Sequence, residues 1–281
     1  MTLELTTIAS LRGMLSAWRA GSETIALVPT MGALHAGHLE LVAAAKSHAE
    51  RVVVSIFVNP TQFGPNEDFS RYPRRLEKDI AVLKKAGVDA VWLPTMEEMY
   101  PNGFATTIHV AGVSEGLEGD FRPGHFDGVA TVVAKLLHQV APEVALFGQK
   151  DYQQLCVIRR LVADLDIPVR IVGVPTVREA DGLALSSRNM YLSQEERKAA
   201  VQVNRILRHS ASVLKHEGRP LDETLEKAEQ MLLDAGFRSI DYVKLCDSKT
   251  LIVLDTYQPG ARLLIAAWLG TTRLIDNIAV E

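Results

Sequence analysis

IALVPTMGALHAGH, residues 25–38, contains the change of period that decides the fold. Ile25 to Val28 form a short apolar run, and Pro29-Thr30-Met31-Gly32 follow as a turn, the pattern of a central strand in a parallel sheet. Beyond the turn, apolar residues recur at Leu34, Leu39, Val42 and Ala45, which is helical rather than alternating spacing. The stretch therefore predicts strand, glycine turn, helix. A junction of that kind aims backbone N–H groups and the positive end of a helix dipole at one spot, which suits phosphate. His35 and His38 stand three apart in the predicted first turn and share one face of the helix. Gly37 between them removes a side chain where a ligand would come close.

Taken alone, H-x-x-H fits surface histidines, nucleotide binding or zinc. Zinc usually takes histidines at i and i+4 with a further ligand, and neither H-E-x-x-H nor a cysteine pair is present. The rest of the chain has to decide. Its 281 residues suffice for one large α/β domain and a smaller companion. Hydrophobic content of 47% with 23% charged residues is ordinary for a soluble globular protein, and a net charge of −4 argues against a broad nucleic-acid footprint. The start, MTLELTTIAS, lacks a basic region followed by an apolar run, so no signal peptide is expected. No stretch approaches the roughly 18 apolar residues of a membrane span. Cys156 and Cys246 form no C-x-x-C, so a reduced, cytoplasmic protein with two free thiols is expected.

Strand and helix patterns alternate along the first 176 residues. A helix is predicted over 8–20, with Ile8, Leu11, Leu15 and Trp18 on one face. Strands are predicted at 51–58, 89–94, 143–148 and 169–176, besides 25–28. Helices at 75–86, 126–140 and 152–165 separate them, and ATTIHVAG, 105–112, reads as one more strand. Residues 66–75 are polar and predict a mobile surface loop. Five strand–helix alternations indicate a doubly wound parallel sheet. From 177 the texture changes: S-Q-E-E at 193–196 is a capping box opening a helix to about Lys215, a second helix covers 222–235, and three apolar strand-like runs close the chain. This predicts a smaller C-terminal α+β domain, 177–281, after an N-terminal domain, 1–176.

In an open parallel sheet the ligand sits beyond the carboxyl ends of the strands. Three predicted strand ends carry polar chemistry: Met31, His35 and His38; Asn59 and Gln62; and Gly148-Gln149-Lys150-Asp151, with Gln153 and Gln154 opening the next helix. Each group has a plain alternative as helix cap or surface residue; together they predict one site. Lys150 and Arg188 would give a triphosphate a point charge and a bidentate fork, with Ser186 and Ser187 as donors. The two histidines would donate N–H to phosphoryl oxygens, and Asp151 would hold a ribose hydroxyl. Gln62 and Gln154, which both donate and accept, suit a small hydroxy acid.

These residues carry a family resemblance. HAGH resembles the HIGH signature of class I aminoacyl-tRNA synthetases and related nucleotidyltransferases, and LSSR, 185–188, sits where their KMSKS-type loop would. PTMGALHAGH, FVNPTQFGPNEDFSRYPR, FRPGHFDGV, GQKDYQQ, LALSSRN and TRLIDN, in this order through the whole chain, resemble the pantoate–β-alanine ligases. The resemblance implies a cytoplasmic homodimer with a Rossmann-like N-terminal domain and a smaller lid domain, joining pantoate to β-alanine through a pantoyl adenylate with ATP and Mg²⁺. It implies ATP contacts at Met31, Gly32, Ala33, Leu34, His35, Ala36, Gly37 and His38, at Gly148, Gln149, Lys150 and Asp151, at Val177, and at Leu185, Ser186, Ser187 and Arg188. Pantoate would lie between Gln62 and Gln154, with Gln62 also facing β-alanine, and His38 would be the proton donor; His35, Lys150 and Arg188 complete the expected catalytic set. Gln149 stands where the family commonly has Glu, Leu185 where it has Met, and Met190 where a basic residue is frequent. Pro29, Met31 and Phe57 are candidates to wall the gem-dimethyl group of pantoate. Two rivals remain. A transferase of AMP or CMP to a phosphate ester would want extra basic residues where Gln62 and Gln154 stand. A synthetase-like RNA binder would want a basic domain that the composition lacks.

Overall fold

In the computed structural model, which describes residues 2–65 and 67–281, strand and helix alternate almost from the start. The order is β1 (Leu3–Leu5), α1 (Ile8–Ala20), β2 (Ile25–Thr30), α2 (Ala36–Lys46), β3 (Arg51–Ile56), α3 (Leu76–Lys85), β4 (Ala90–Trp92) and the short α4 (Met96–Met99) and α5 (Glu118–Phe121). Then come α6 (His125–Val140), β5 (Val144–Gly148), α7 (Tyr152–Asp164) and β6 (Arg170–Val174). These six strands form one parallel sheet in the order β1-β4-β3-β2-β5-β6. The chain builds outward from β2 through β3 to β4, then returns to add β5 and β6 on the other side. That reversal makes the edge beyond β2 and β5 a topological switch point, as in Rossmann-like folds.

Both faces of this sheet are covered, which is why its strands are apolar without alternation. Ile25 and Leu27 of β2 pack with Leu11 and Leu15 of α1 and Leu136 and Leu137 of α6. Ala26 and Val28 pack on the other face with Leu41 and Val42 of α2 and Leu83 of α3. Each fully buried large apolar side chain contributes about 1.5–3 kcal/mol relative to exposure.

The remainder comprises α8 (Gln194–Ala200), α9 (Gln202–Ser212), α10 (Leu221–Asp234) and the antiparallel meander β7 (Ser239–Cys246), β8 (Ala261–Leu269) and β9 (Thr272–Val280). One face of the meander packs on these helices around Ile206, Leu207, Leu232 and Leu263. Its other face, with Tyr242, Cys246, Leu264 and Ala266, packs against Tyr152, Cys156 and Val157 of α7. The small sheet is thereby docked beside the turn that leaves β5.

Several expectations are corrected. β2 runs on through Pro29 and Thr30, so the turn starts at Met31; its pairing with β5 is confined to Ala26 and Leu27, and Pro29 faces no β5 partner there. β3 ends at Ile56 and β4 spans only Ala90–Trp92. Residues 105–112 form no strand: the Ile108 N–H donates to Thr131 Oγ1 of α6, and the sheet edge beside β4 is taken by β1. A three-residue strand is too short to show a period. The capping box at Ser193 and Glu196 is present, but the helix divides at Val201, which keeps helical angles (φ −60°, ψ −28°), and ends in a π turn, Val213–Glu217. Of the predicted surface loop 66–75, Asn66 lies outside the described residues; the rest is not a free loop, because Tyr72 is buried and Asp68 makes an ion pair with Arg188.

An ion pair ties the segment after β6 to the small sheet. Arg178 forks onto both oxygens of Asp276 at 2.6 and 2.8 Å, with the carboxylate side chain 4% exposed. Removing one partner strands a buried charge. Asp276→Ala should therefore lower unfolding free energy by about 3 kcal/mol, read from urea denaturation. An unchanged midpoint would refute this weight for the pair.

Candidate active site

The carboxyl ends of β3, β2 and β5 lie side by side in the sheet, so the three polar segments that follow them border one cavity of about 230 Å³. Met31, His35, Gly37 and His38 line it from the β2–α2 junction. Asn59 and Gln62 line it from beyond β3, and Gly148, Lys150, Asp151 and Gln154 from beyond β5. Val177 and the run Leu185, Ser186, Ser187 and Arg188 close it from the C-terminal part. Gly32, Ala33, Leu34, Ala36 and Gln149 are not in the wall. Gln149 turns its amide away to donate to the Gly173 carbonyl at 3.2 Å.

The histidines are arranged differently from two residues on a helical face. His35 precedes α2 as its N-cap, with φ −134° and ψ 177°. Its Nδ1 accepts the Gly37 N–H at 3.1 Å, and the His38 Nδ1 accepts the His35 N–H at 3.2 Å. Such reciprocal capping is usually performed by Ser or Thr with Glu. Here it commits both Nδ1 atoms as acceptors, so each neutral ring carries its proton on Nε2. The rings lie 4.1 Å apart at 40°. Burial, and then the neighbouring His35, push His38 down to about 3. Burial and then Lys150 lower His35 as well. The pair is therefore two neutral N–H donors at working pH. Gly37 has a reason other than ligand approach: a Cβ there would stand 2.9 Å from His35 Cε1, so the glycine makes room for the imidazole cap.

Asp79 is a site-shaping residue that the pattern did not single out. It is 4% exposed, and its two oxygens accept the N–H groups of Ala33 (2.8 Å) and Leu34 (2.9 Å). Gly32 and Ala33 both have positive φ (80° and 50°), which for alanine is unfavourable and needs support. Two bonds to a carboxylate, each worth about 1.5–3 kcal/mol, supply that support. A signal was available: Asp79 stands at i+3 on the face that carries Leu76, Ile80 and Leu83, where an apolar residue is the norm.

The other wall is apolar. Pro29, Met31 and Phe57 line the cavity, joined by Val129, Val132, Val133 and Leu136 of α6. Gln62, 8% exposed, accepts from Asn59 Nδ2 at 3.1 Å and lays its own Nε2 against Met31 Sδ at 3.1 Å. Gln153, next to Gln154, is structural: it donates to carbonyls of Val113, Glu115 and Gly116. Lys150 Nζ lies 3.8 Å from Asp151. Arg188 forks onto Asp68 at 3.0 and 2.8 Å, and Ser187 Oγ donates to the Ala33 carbonyl at 3.1 Å. The LSSR run is thus docked over the β2–α2 junction. A second cavity of about 520 Å³ shares Lys150, Asp151 and Arg188 and is lined further by Asp241, Trp268 and Arg273 of the small sheet.

A family model described as pantoate-beta-alanine ligase matches residues 4–279. A protein of Paramagnetospirillum magneticum named pantothenate synthetase is 56% identical over 274 residues, covering 98% of this chain and 96% of its own. The crystal structure of a pantothenate synthetase from Thermus thermophilus is similar with a TM-score of 0.93 and 50% identity, covering 99% of each chain. A pantoate-beta-alanine ligase from Francisella tularensis, crystallised with beta-gamma ATP and beta-alanine, is similar with a TM-score of 0.83 and 35% identity, over 100% of this chain and 98% of that one.

The lowered His38 value has a measurable sign. Between about 3 and the ordinary 6.5, the unfolded chain binds a proton that the folded ring refuses. Stability from this group is therefore lost as pH falls through that window. In NMR titration His38 should keep its neutral-imidazole shifts from pH 7 to about 5. A His38 midpoint near 6.5 would contradict the half-buried, capped geometry.

Proposed function

This chain belongs to the pantoate-beta-alanine ligase family, and we infer from that membership and the geometry above that the cavity beyond β2 and β5 is where it works. The chain is an ATP-dependent ligase that condenses pantoate with β-alanine to pantothenate through a pantoyl adenylate, releasing pyrophosphate and AMP. One observation carries the assignment of the site: two neutral imidazole donors, two cations and a buried glutamine border the same cavity.

The residue roles follow from the chemistry required. A carboxylate does not accept an amine at neutral pH without activation. In the first step a pantoate carboxylate oxygen forms a bond to the α-phosphorus of ATP, and the bond to the leaving pyrophosphate breaks. Acceleration here comes from placement and charge stabilisation. The Nε2–H groups of His35 and His38 meet charge developing on phosphoryl oxygens without themselves changing protonation. Lys150 and Arg188 balance the phosphate tail, with Ser186 and Ser187 as further donors. Nucleotide contacts extend over Met31–His38, Gly148–Asp151 and Val177; from Gly32, Ala33, Leu34, Ala36 and Gln149 they are made by the backbone or only indirectly. Gln62 and Gln154 hold the polar groups of pantoate, and Pro29, Met31 and Phe57 enclose its methyl groups. In the second step the β-alanine amine bonds to the carbonyl carbon, the bond to AMP breaks, and the amine proton leaves to solvent.

The adenylate is water-sensitive, so the site must close. Residues 177–281 act as lid over the body 1–176, with LSSR as the covering loop. For Arg188 to take phosphate it exchanges Asp68 for the ligand. Mg²⁺ arrives with ATP. Among the described residues no group of three or more His, Cys, Asp or Glu side chains is arranged to hold a metal by itself. Asp151 in the cavity wall is a carboxylate that would hold such an ion together with the phosphates. When bound, the ion offsets phosphate charge. A cytoplasmic homodimer completes the proposal; among the described residues no helix is long and apolar enough to cross a membrane.

Pantoate alone should drive exchange of labelled pyrophosphate into ATP, and His38→Ala should slow that exchange by on the order of a hundredfold. Exchange that also requires β-alanine would overturn the two-step order, and near-normal exchange in the variant would remove His38 from the chemistry. Gln62→Ala should raise the KM for pantoate about tenfold, because a hydroxyl or carboxylate loses its buried partner.

A further inference from the structure

We propose that His125 is a positioning residue for substrate recognition: its Nδ1–H holds the backbone carbonyl of Gln62 and so fixes where the Gln62 amide stands in the cavity. This rests on the assignment of Gln62 to pantoate. FRPGHFDGV, the motif containing His125, has no part in the reaction as described so far.

The hydrogen-bond directions are determined. His125 opens α6, is 8% exposed, and has Nδ1 2.8 Å from the Gln62 carbonyl oxygen. A carbonyl only accepts, so Nδ1 bears the proton. Nε2 is then bare and accepts from Arg122 Nη1 at 3.1 Å. Arg122 in turn is clamped on both oxygens of Glu67 at 2.8 and 2.7 Å, so it has no freedom to swing into the cavity. This tautomer is opposite to that of His35 and His38, whose Nδ1 atoms accept. Burial and then Arg122 push His125 down to about 4, so the ring stays a neutral donor at working pH.

The rest of the turn depends on the same contact. A Cβ at Gly128 would stand 2.4 Å from the Thr61 carbonyl oxygen and 2.7 Å from the Gln62 nitrogen, so the first turn of α6 and residues 60–62 are backbone against backbone. Asn59 Nδ2 donates both to the Gly128 carbonyl and to Gln62 Oε1, each at 3.1 Å. Its Oδ1 accepts from Tyr100 Oη at 2.8 Å and Thr61 Oγ1 at 2.9 Å, which fixes the amide orientation. Gln62 Oε1 is thereby engaged, and its Nε2 meets only the weakly accepting Met31 sulfur. Gln62 therefore presents an N–H donor to the acid substrate, and His125 sets its depth.

Asparagine and glutamine separate the two ring nitrogens. The amide nitrogen of Asn occupies the place of Nδ1, and that of Gln the place of Nε2. In the full-length enzyme, His125→Gln should raise the KM for pantoate about tenfold with the KM for ATP within about twofold of the parent. His125→Asn should restore the pantoate KM to within about twofold of the parent. The proposal is overturned if His125→Gln keeps the parent KM, if Asn and Gln variants behave alike, or if both KM values rise together as in general destabilisation. Gln62→Ala is measured beside them. If that variant leaves the pantoate KM unchanged, the assignment of Gln62 fails and this inference with it. If it raises the KM while His125→Gln does not, only the role of His125 fails. Glutamine is close to imidazole in size and asparagine keeps a polar amide at the same branch, so the comparison does not depend on truncation to alanine.

Discussion

The β2–α2 junction is held by side chains that bond to the backbone. Asp79 takes the N–H groups of Ala33 and Leu34, His35 takes that of Gly37, and His38 takes that of His35. A tight turn with two successive positive-φ residues would otherwise leave donors unsatisfied at a half-buried helix start. Because both imidazoles accept at Nδ1, both carry Nε2–H. The same bonds that close the turn therefore fix the tautomers of the groups on which the proposed phosphate chemistry relies. Cap, fold and electrostatics are one constraint at this point.

The C-terminal part does more than cover the cavity. Asn277 donates to the carbonyls of Gln149 and Lys150 at 3.1 and 2.8 Å, and Asp276 beside it holds Arg178. Ser187 donates to Ala33, and Arg188 holds Asp68. The small sheet and the LSSR run thus brace both the loop of Lys150 and the β2–α2 junction. Arg188 is neutralised by the Asp68 carboxylate, so a half-buried cation is not left without a partner. Arg273 of the same TRLIDN motif forms a second buried cluster with Glu118 and Asp241, which anchors α5 to the meander.

Two glutamine-bearing segments show how close neighbours separate. Gln153 and Gln154 are adjacent on α7; one seals the carbonyls of the 113–116 turn and the other lines the cavity. Gln62 is reached from α6, through His125 and the bare backbone of Gly128, although its own strand is β3. Nothing in the local pattern of NPTQFG distinguishes an amide held by its carbonyl from one on a surface.

The order of residues was enough for what depends on neighbours along the chain. Continuous apolar runs, a period of 3.6 and capping residues marked the helices of Ile8–Ala20 and Tyr152–Asp164 and the strand–helix alternation that makes a parallel sheet. They also put three polar strand ends on one edge, because parallel strands end together. What depends on partners distant in sequence was decided by packing. β1 exists because β4 offers an edge, residues 105–112 are not a strand because α6 takes their hydrogen bond, and Asp68, Asp79, Arg122 and His125 matter through contacts 45 to 120 residues away. A hydrogen bond to a main-chain carbonyl requires a position and not a residue type at the other end. It therefore leaves no pairing signal in a single chain, and only the folded backbone reveals it.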